Sequence, residues 1–417
     1  MNVADSRQNL GALITILPFL FCLFVGCAHT PPVKPKGHST ERFQHHTLPN
    51  GLQILTLEDD THPVIGVAAY ITTGGRTESA KYAGSLHFIE HLVFKGGTKR
   101  FEPTAFRKRV AALGRENGGW TWDDEIQFGF EVPKRNFRDA LDVMVDSLLE
   151  LVWTRQWFED ERNVVLQEIE KVDERPWHRL WRSWDKQAFQ VHPYGRAVIG
   201  SQESIRALSF SELEQYYRDR FRPNQLLLTV VGDFDTKQMV HTIAQRFRTY
   251  ETGPPSFELS DVDEPNQQSA RSHHEQDSSL STTKIIAGFR TPGADHPDTA
   301  ALILWAELLS SKSHGLPAVL QEQSALATSV NVTHTFMKDH GTLTVTVECL
   351  PQNAEAVLQW LRWKLTEQTH RTAPTRAAVD KSVSSYNMKQ SLKWETYGKH
   401  AIGLGFLVGR MGVQNTQ

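Results

Sequence analysis

Two periods of hydrophobicity run along this chain, and the switches between them mark its elements. Leu52–Leu57 and Val64–Thr72 have the length and composition of strands; the second is a near-continuous apolar run suited to a buried position. Ile126, Phe128, Phe130 and Val132 alternate with Gln127, Gly129 and Glu131, which predicts a half-buried strand. Phe137, Leu141, Met144, Val145, Leu148 and Val152 recur at helical spacing, so their stripe predicts a helix facing a core. Pro103 at a start and Gly114 just past an end frame a helix over Thr104–Leu113. A strand at Leu226–Val231 and a helix at Thr236–Phe247 close this half. Strands mixed with helices, with few parallel crossovers, predict an α+β sandwich: helices on one face of a mostly antiparallel sheet.

The pattern then lapses. From Gly253 to Ser281 the chain is rich in Ser, His, Gln and Asp and reads as a linker. Beyond it, strand Lys284–Phe289, helix Asp298–Leu309 and the alternating run Leu343–Cys349 repeat the opening of the first half. Nothing equivalent to 226–247 follows the helical stretch ending near Lys393, and Gly403–Gln417 reads as an abbreviated end. The fold class is thus α+β, with two related sandwich domains, the second incomplete. The expected division is a signal peptide over 1–27, a tether over 28–41, a first domain over 42–252, a linker over 253–281 and a shortened sister domain over 282–417.

Leu13–Val25 is an apolar run short for a transmembrane helix, preceded by a weakly charged segment with Arg7, as in a signal-peptide core. It ends at Leu23-Phe24-Val25-Gly26-Cys27, which resembles a bacterial lipobox, although Phe24 stands where Leu is usual. That resemblance implies lipidation of Cys27 and a membrane-anchored, periplasm-facing protein. Ala28 after the cysteine favours the outer membrane. The Pro-rich stretch Thr30–Ser39 reads as a tether. Of three cysteines, Cys22 and Cys27 fall in the signal, so no disulfide framework is available to the mature chain, and Cys349 reads as a strand residue. A net charge of −3 gives no nucleic-acid footprint.

The chemistry concentrates at His87-Phe88-Ile89-Glu90-His91, inside a predicted helix over Ala83–Phe94. One turn brings positions i and i+4 onto one face, so two imidazoles can hold one Zn²⁺ with Glu90 beside it as a base. The order is that of the inverted zincin motif. A catalytic zinc needs a third protein ligand, and the acidic helix Phe158–Lys171 offers several carboxylates. Glu161 and Glu168 lie on nearly one face of it, two turns apart.

His87–His91 followed by Glu161-Arg162-Asn163-Val164-Val165-Leu166-Gln167-Glu168 resembles the pitrilysin/insulinase family of zinc peptidases, which includes mitochondrial processing peptidase. Leu48-Pro49-Asn50-Gly51-Leu52, Gly74-Gly75-Arg76-Thr77-Glu78, His192-Pro193-Tyr194-Gly195 with Gly200, and Phe221-Arg222-Pro223-Asn224 before Leu226–Asp233 resemble further family segments. The resemblance implies His87, His91 and Glu168 as ligands of one zinc, Glu90 as general base and Glu161 as a supporting catalytic acid group. It places Asn117, in Asn117–Asp123, on a substrate-facing strand; Trp120 and Trp122 depart from the family and either shape a subsite or pack under a loop. Aligning Leu302 with Leu86 sets Ile303, Ala306 and Glu307 where His87, Glu90 and His91 stand, so the second domain holds no metal. Family members close a chamber from two halves, which implies a peptide substrate and a second half-chamber chain. The expectation is a zinc endopeptidase of the cell envelope; the alternative is a non-hydrolytic envelope lipoprotein that serves as a binding or assembly subunit.

Overall fold

The computed structural model describes residues 43–113, 115–255, 262, 264–367 and 374–412. The expected signal peptide, Cys27 and most of the tether-to-domain junction lie outside them. No helix among the described residues is long and apolar enough to cross a membrane.

The first half runs β1 (Gln44–Thr47), β2 (Gln53–Glu58), β3 (Val64–Ile71), α1 (Ser85–Lys95), β4 (Gly97–Thr98), α2 (Pro103–Leu113), β5 (Arg115–Thr121), β6 (Ile126–Pro133), α3 (Phe137–Leu149) and β7 (Leu151–Val152). It continues through α4 (Arg155–Asp173), α5 (Pro176–Ala188), α6 (Gln202–Ala207), α7 (Phe210–Arg220), β8 (Leu226–Gly232) and α8 (Thr236–Phe247). The second half runs β9 (Thr283–Pro292), α9 (Thr299–Leu309), a π-helical segment (Ala318–Gln323), β10 (Ser329–Phe336) and β11 (His340–Cys349). It ends with α10 (Ala354–Arg362), α11 (Arg376–Lys393) and α12 (Tyr397–Met411).

Six strands form the first sheet in the order β1-β2-β8-β3-β6-β5. Only β2 and β8 pair in parallel; the other pairs are antiparallel. Val67, Ala69 and Ile71 of β3 join one core with α1, α3 and α4, while Ala68 and Tyr70 join a second core with Ala401, Leu404 and Val408 of α12. Both faces of β3 are therefore dry, which is why its sequence does not alternate. The first half's own α1, α3 and α4 pack on one face of its sheet, as expected, and the other face is covered by a helix from the second half. The stretch read as an abbreviated end is α12, and it covers the opposite face of the first sheet. Its Thr396 N-cap accepts from Lys399 N, and Tyr70 Oη donates to the Ile402 carbonyl and lies 2.9 Å from Gln127 Oε1.

The second sheet has the order β10-β11-β9, fully antiparallel over long registers. Its element order and pairing reproduce β3, α1, β5, β6, α3 and α4 of the first half. The exchange of helices is reciprocal: α5 of the first half packs on β9, where Lys284 Nζ stands 5.3 Å from the Trp177 ring. Among the described residues nothing in the second half corresponds to α7, β8 and α8.

Buried charges seal the junction. Asp124 accepts from Tyr194 Oη (2.6 Å) and Lys338 N (2.9 Å) and pairs with Arg76 Nε (3.2 Å). Arg410 of α12 reaches Glu125 (3.1 Å) and the Phe336 carbonyl (2.6 Å). The predicted linker is anchored as well: Glu264 accepts from the backbone N–H groups of Gln190, Val191 and His192 (2.9, 2.7 and 2.7 Å).

Close contact between α12 and the sheet requires glycine. A Cβ at Gly405 would overlap the buried Tyr70 ring, whereas one at Gly409 meets nothing. Gly405→Ala should cost about 1–3 kcal/mol by overpacking, read as a lower urea midpoint. Gly409→Ala should leave stability unchanged or raise it by up to about 1 kcal/mol through helix propensity. Equal effects at the two positions would contradict the packing described.

Candidate metal centre

The start of α1 is set by backbone chemistry rather than by a Ser or Asp cap. Gly84 holds φ 91°, and a Cβ there would stand 2.6 Å from the Ile199 carbonyl. Glu78 takes over the capping role: its carboxylate accepts from Gly84 N (2.8 Å) and Leu86 N (2.7 Å). A carboxylate on those orphan N–H groups satisfies them and suits the positive end of the helix. Arg196 donates to the Glu78 carbonyl (2.5 Å), so the turn at Gly74–Glu78 and the loop through Gly200 together fix where α1 begins.

Leu86, Phe88, Ile89, Leu92 and Val93 bury one side of α1. Phe88 stacks on Phe158 of α4 with ring centroids 5.3 Å apart, which sets the two helices face to face. His87, Glu90 and His91 are left on the side toward α4 and β5, with the imidazole centroids 4.6 Å apart. His91 Nε2 lies 3.2 Å from Glu168 Oε2, and His91 Nδ1 lies 2.6 Å from Glu161 Oε1. Lys95, one turn beyond His91, donates to the same Glu161 oxygen at 2.6 Å. Thr121, at the end of β5, donates to Glu90 Oε2 at 3.0 Å.

The electrostatics divide the two imidazoles. Burial, reinforced by the neighbouring His91, pushes His87 down to about 4, so it is neutral at pH 7. Burial opposes charge on His91 too, but Glu161 and Glu168 outweigh it and raise that ring to about 9. Burial raises the Glu90 carboxyl, with the Thr121 hydroxyl pulling the other way. Glu161 is held below its ordinary value because bonds from His91 and Lys95 outweigh its burial, and Glu168 is lowered chiefly by its bond from His91.

His87, His91 and Glu168 offer ligand atoms that all lie within 4.8 Å of one another. The buried Nδ1 of the neutral His87 has no hydrogen-bond partner. Two imidazoles and a carboxylate, with a carboxylate behind one imidazole, are the donor set of a catalytic zinc site with an open position. The residues present fit zinc. Of the other predicted residues, Asn117 lies on β5 at the sheet edge, and Cys27 lies outside the described residues. Trp120 and Trp122 are 40% and 46% exposed, so they are not an aromatic cluster packed under a loop. Three participants were not assigned from the sequence: Glu78, Lys95 and Thr121. Each had a signal, since Glu78 ends the quoted turn, Lys95 is four residues past His91, and Thr121 lies inside Asn117–Asp123.

The chain is similar to known proteins over most of its length. The family model "Insulinase (Peptidase family M16)" matches residues 53–202, and "Peptidase M16 inactive domain" matches 207–383. An uncharacterized zinc protease of Mycobacterium leprae is 29% identical over 319 residues, 75% of this chain and 70% of that protein. A probable mitochondrial-processing peptidase subunit beta of Arabidopsis thaliana is 24% identical over 265 residues, 64% of this chain and 50% of that protein. The crystal structure of a protease from Helicobacter pylori shares the fold with a TM-score of 0.81 at 22% identity, covering 90% of this chain and 95% of that one.

The ligand set can be tested directly. His87→Ala and Glu168→Gln should each abolish stoichiometric zinc after dialysis, measured by atomic absorption; full zinc in both variants would refute the set. Glu161→Gln removes a group behind His91 and should weaken zinc by about 10–100-fold. Because the His91 value is raised from 6.5 to about 9 in the metal-free protein, a proton competes with the ion below that pH. Zinc affinity should therefore tighten as pH rises from 6.5 toward 9, by up to about tenfold per unit. A flat profile across that window would mean that His91 is not displaced from its proton by the metal.

Proposed function

The chain belongs to peptidase family M16, and on that premise we propose that it is a zinc-dependent endopeptidase acting on peptides or unfolded polypeptide segments in the bacterial cell envelope. The observation that carries this reading is the convergence of His87, His91 and Glu168 from two helices, with Glu90 held against them by Thr121. Zinc bound by these three residues supplies Lewis acidity for a water molecule and the scissile carbonyl.

The rest of the chemistry belongs to the chain. Glu90 accepts the proton of the attacking water and returns it to the leaving amine. Its burial, which raises its carboxyl, moves it toward the range where it can do both near neutrality. The Thr121 hydroxyl orients that carboxyl. Glu161 keeps the proton of His91 on Nδ1, so that Nε2 is the nitrogen presented beside Glu168.

β5 is an outer strand of the six-stranded sheet, and its free edge ends at Thr121. An extended peptide adds to such an edge through backbone hydrogen bonds. Asn117 serves that strand, and exposed Trp120 and Trp122 flank the side chains of the bound peptide. The protein works from the envelope, anchored through lipidated Cys27 and facing the periplasm, most naturally at the outer membrane. A second chain supplies the other half of the chamber.

Two observations favour a second reading, in which the protein is a non-hydrolytic subunit that binds or assembles a partner. Its second domain's sheet has three strands among the described residues where the main sheet of the first has six, and the relative from Arabidopsis thaliana is named a subunit.

The two readings separate in one experiment. Purified residues 28–417 are given a mixed set of quenched-fluorescent unstructured peptides, with and without chelator. Cleavage lost to the chelator and restored by zinc is expected, and Glu90→Gln should keep its zinc but lose at least about 100-fold in turnover. A Glu90→Gln variant cleaving at the wild-type rate would exclude the assigned base. No cleavage despite stoichiometric zinc would favour the subunit reading.

A further inference from the structure

Glu90 accepts from Thr121, the last residue of β5, and residues 122–125 then turn the chain into β6. Within that turn Trp122 N donates to the Glu125 carbonyl (2.8 Å). A second loop grips it: Gly75 N donates to the Trp122 carbonyl (3.0 Å) and Arg76 N to the Asp123 carbonyl (2.8 Å). The fit leaves no room for a side chain at Gly74, where a Cβ would stand 2.4 Å from the Asp123 carbonyl. The same loop ends at Glu78, which caps α1. Two supports of the metal centre, Thr121 under Glu90 and Glu78 under α1, therefore hang from one pair of interlocked loops.

The charges of these loops do not balance within the first half. Arg76 Nε pairs with Asp124 (3.2 Å), and Glu125 next to it is equally buried. A buried carboxylate without a cation is costly. The second half supplies what is lacking. Arg410 of α12 binds Glu125 (3.1 Å) and stands 3.5 Å from Asp124. The turn 337–339, between β10 and β11, reaches the same place. Lys338 N donates to Asp124 (2.9 Å), and Asp339 N donates to Tyr194 Oη (3.2 Å), which itself donates to Asp124 (2.6 Å). The Asp339 carboxylate accepts from Arg76 Nη1 (3.0 Å) and lies 3.2 Å from His192 Nε2. Burial works against its charge, but His192 and Arg76 outweigh burial and hold the carboxyl below its ordinary value. Asp339 thus holds the far side of the guanidinium that holds Asp124.

We propose that Asp339 is a positioning residue for the reaction: through Arg76 and Asp124 it fixes the turn 122–125, and through that turn the placement of Thr121 and Glu90 against the metal ligands. The second half offers no metal-ligand cluster among the described residues, yet it takes part in catalysis by setting where the base stands. This inference rests on the peptidase reading above and requires no contact between Asp339 and either substrate or metal.

Asp339→Asn keeps the shape of the side chain and removes its charge, at a position that is only partly buried. The full-length variant should keep stoichiometric zinc and its circular dichroism. Its kcat should fall at least about fivefold, because a misplacement of ~1 Å at a reacting group costs up to about 100-fold. Thr121→Val cuts the link to Glu90 itself, so the double variant should turn over no more slowly than Thr121→Val alone. A merely structural role would instead make the two losses multiply. Amide exchange in the zinc-free protein gives a readout that needs no turnover: Asp339→Asn should speed exchange at Gly75, Arg76 and Trp122 and leave α8 unchanged. An unchanged kcat, fully multiplying losses, or unchanged exchange at those three amides would each overturn the proposal. If the wild-type chain cleaves nothing, the peptidase reading fails, and exchange alone then decides whether Asp339 holds the turn.

Discussion

The central strand β3 has two apolar faces, and both must be kept from water. α1, α3 and α4 cover one face, and α12, which begins more than three hundred residues later, covers the other. This requirement ties the halves together before any polar contact does. With α12 on Tyr70 and α5 against β9, each half lends a helix to the sheet of the other. The buried cluster of Arg76, Asp124, Glu125 and Arg410 then has a fixed frame in which every charge meets an opposite one. Such burial is tolerable only with that pairing, because an isolated buried charge costs several kcal/mol or more.

The metal centre inherits its precision from the same scaffold. Its two imidazoles come from one helix whose start is held by Glu78 and whose facing is set by the Phe88–Phe158 stack. The third donor arrives from α4. Without the ion, His91 sits between two carboxylates and holds a proton, while His87 a turn away is dry and neutral. The site is therefore a set of donors that is electrostatically balanced by a proton in one state and by a cation in the other. Lys95 matters in both states, because it leaves Glu161 only partly neutralised by His91.

What was legible from the sequence was local. α8 begins and ends where the hydrophobic period begins and ends, and β3, β6 and α2 lie within a residue or two of their predicted bounds. His87, Glu90 and His91 are four residues apart at most, and their pattern needs only a helix to become a site. Glu161 and Glu168 are helical neighbours too, but their meeting with α1 rests on a tertiary contact. The pairing to His91 therefore followed from resemblance and not from spacing. Arg410 with Glu125, and Glu264 with the backbone at 190–192, were invisible because partners far apart in the chain leave no periodic trace. α12 was misread for a related reason: its Gly403, Gly405 and Gly409 weaken a helical signal, and at Gly405 the missing side chain is what lets the helix lie on Tyr70.

The reciprocal exchange of α5 and α12 has a kinetic meaning. Contacts between residues such as Thr229 and Ala401, or Gly66 and Tyr397, close very long loops, and topologies rich in such contacts fold slowly. During synthesis the first sheet emerges complete in its strands but bare on one face, and it stays bare until α12 leaves the ribosome. An apolar sheet face exposed for that interval is a target for aggregation and for chaperones. The order of the chain thus makes the first half wait for the second, and neither half reaches its native surface alone.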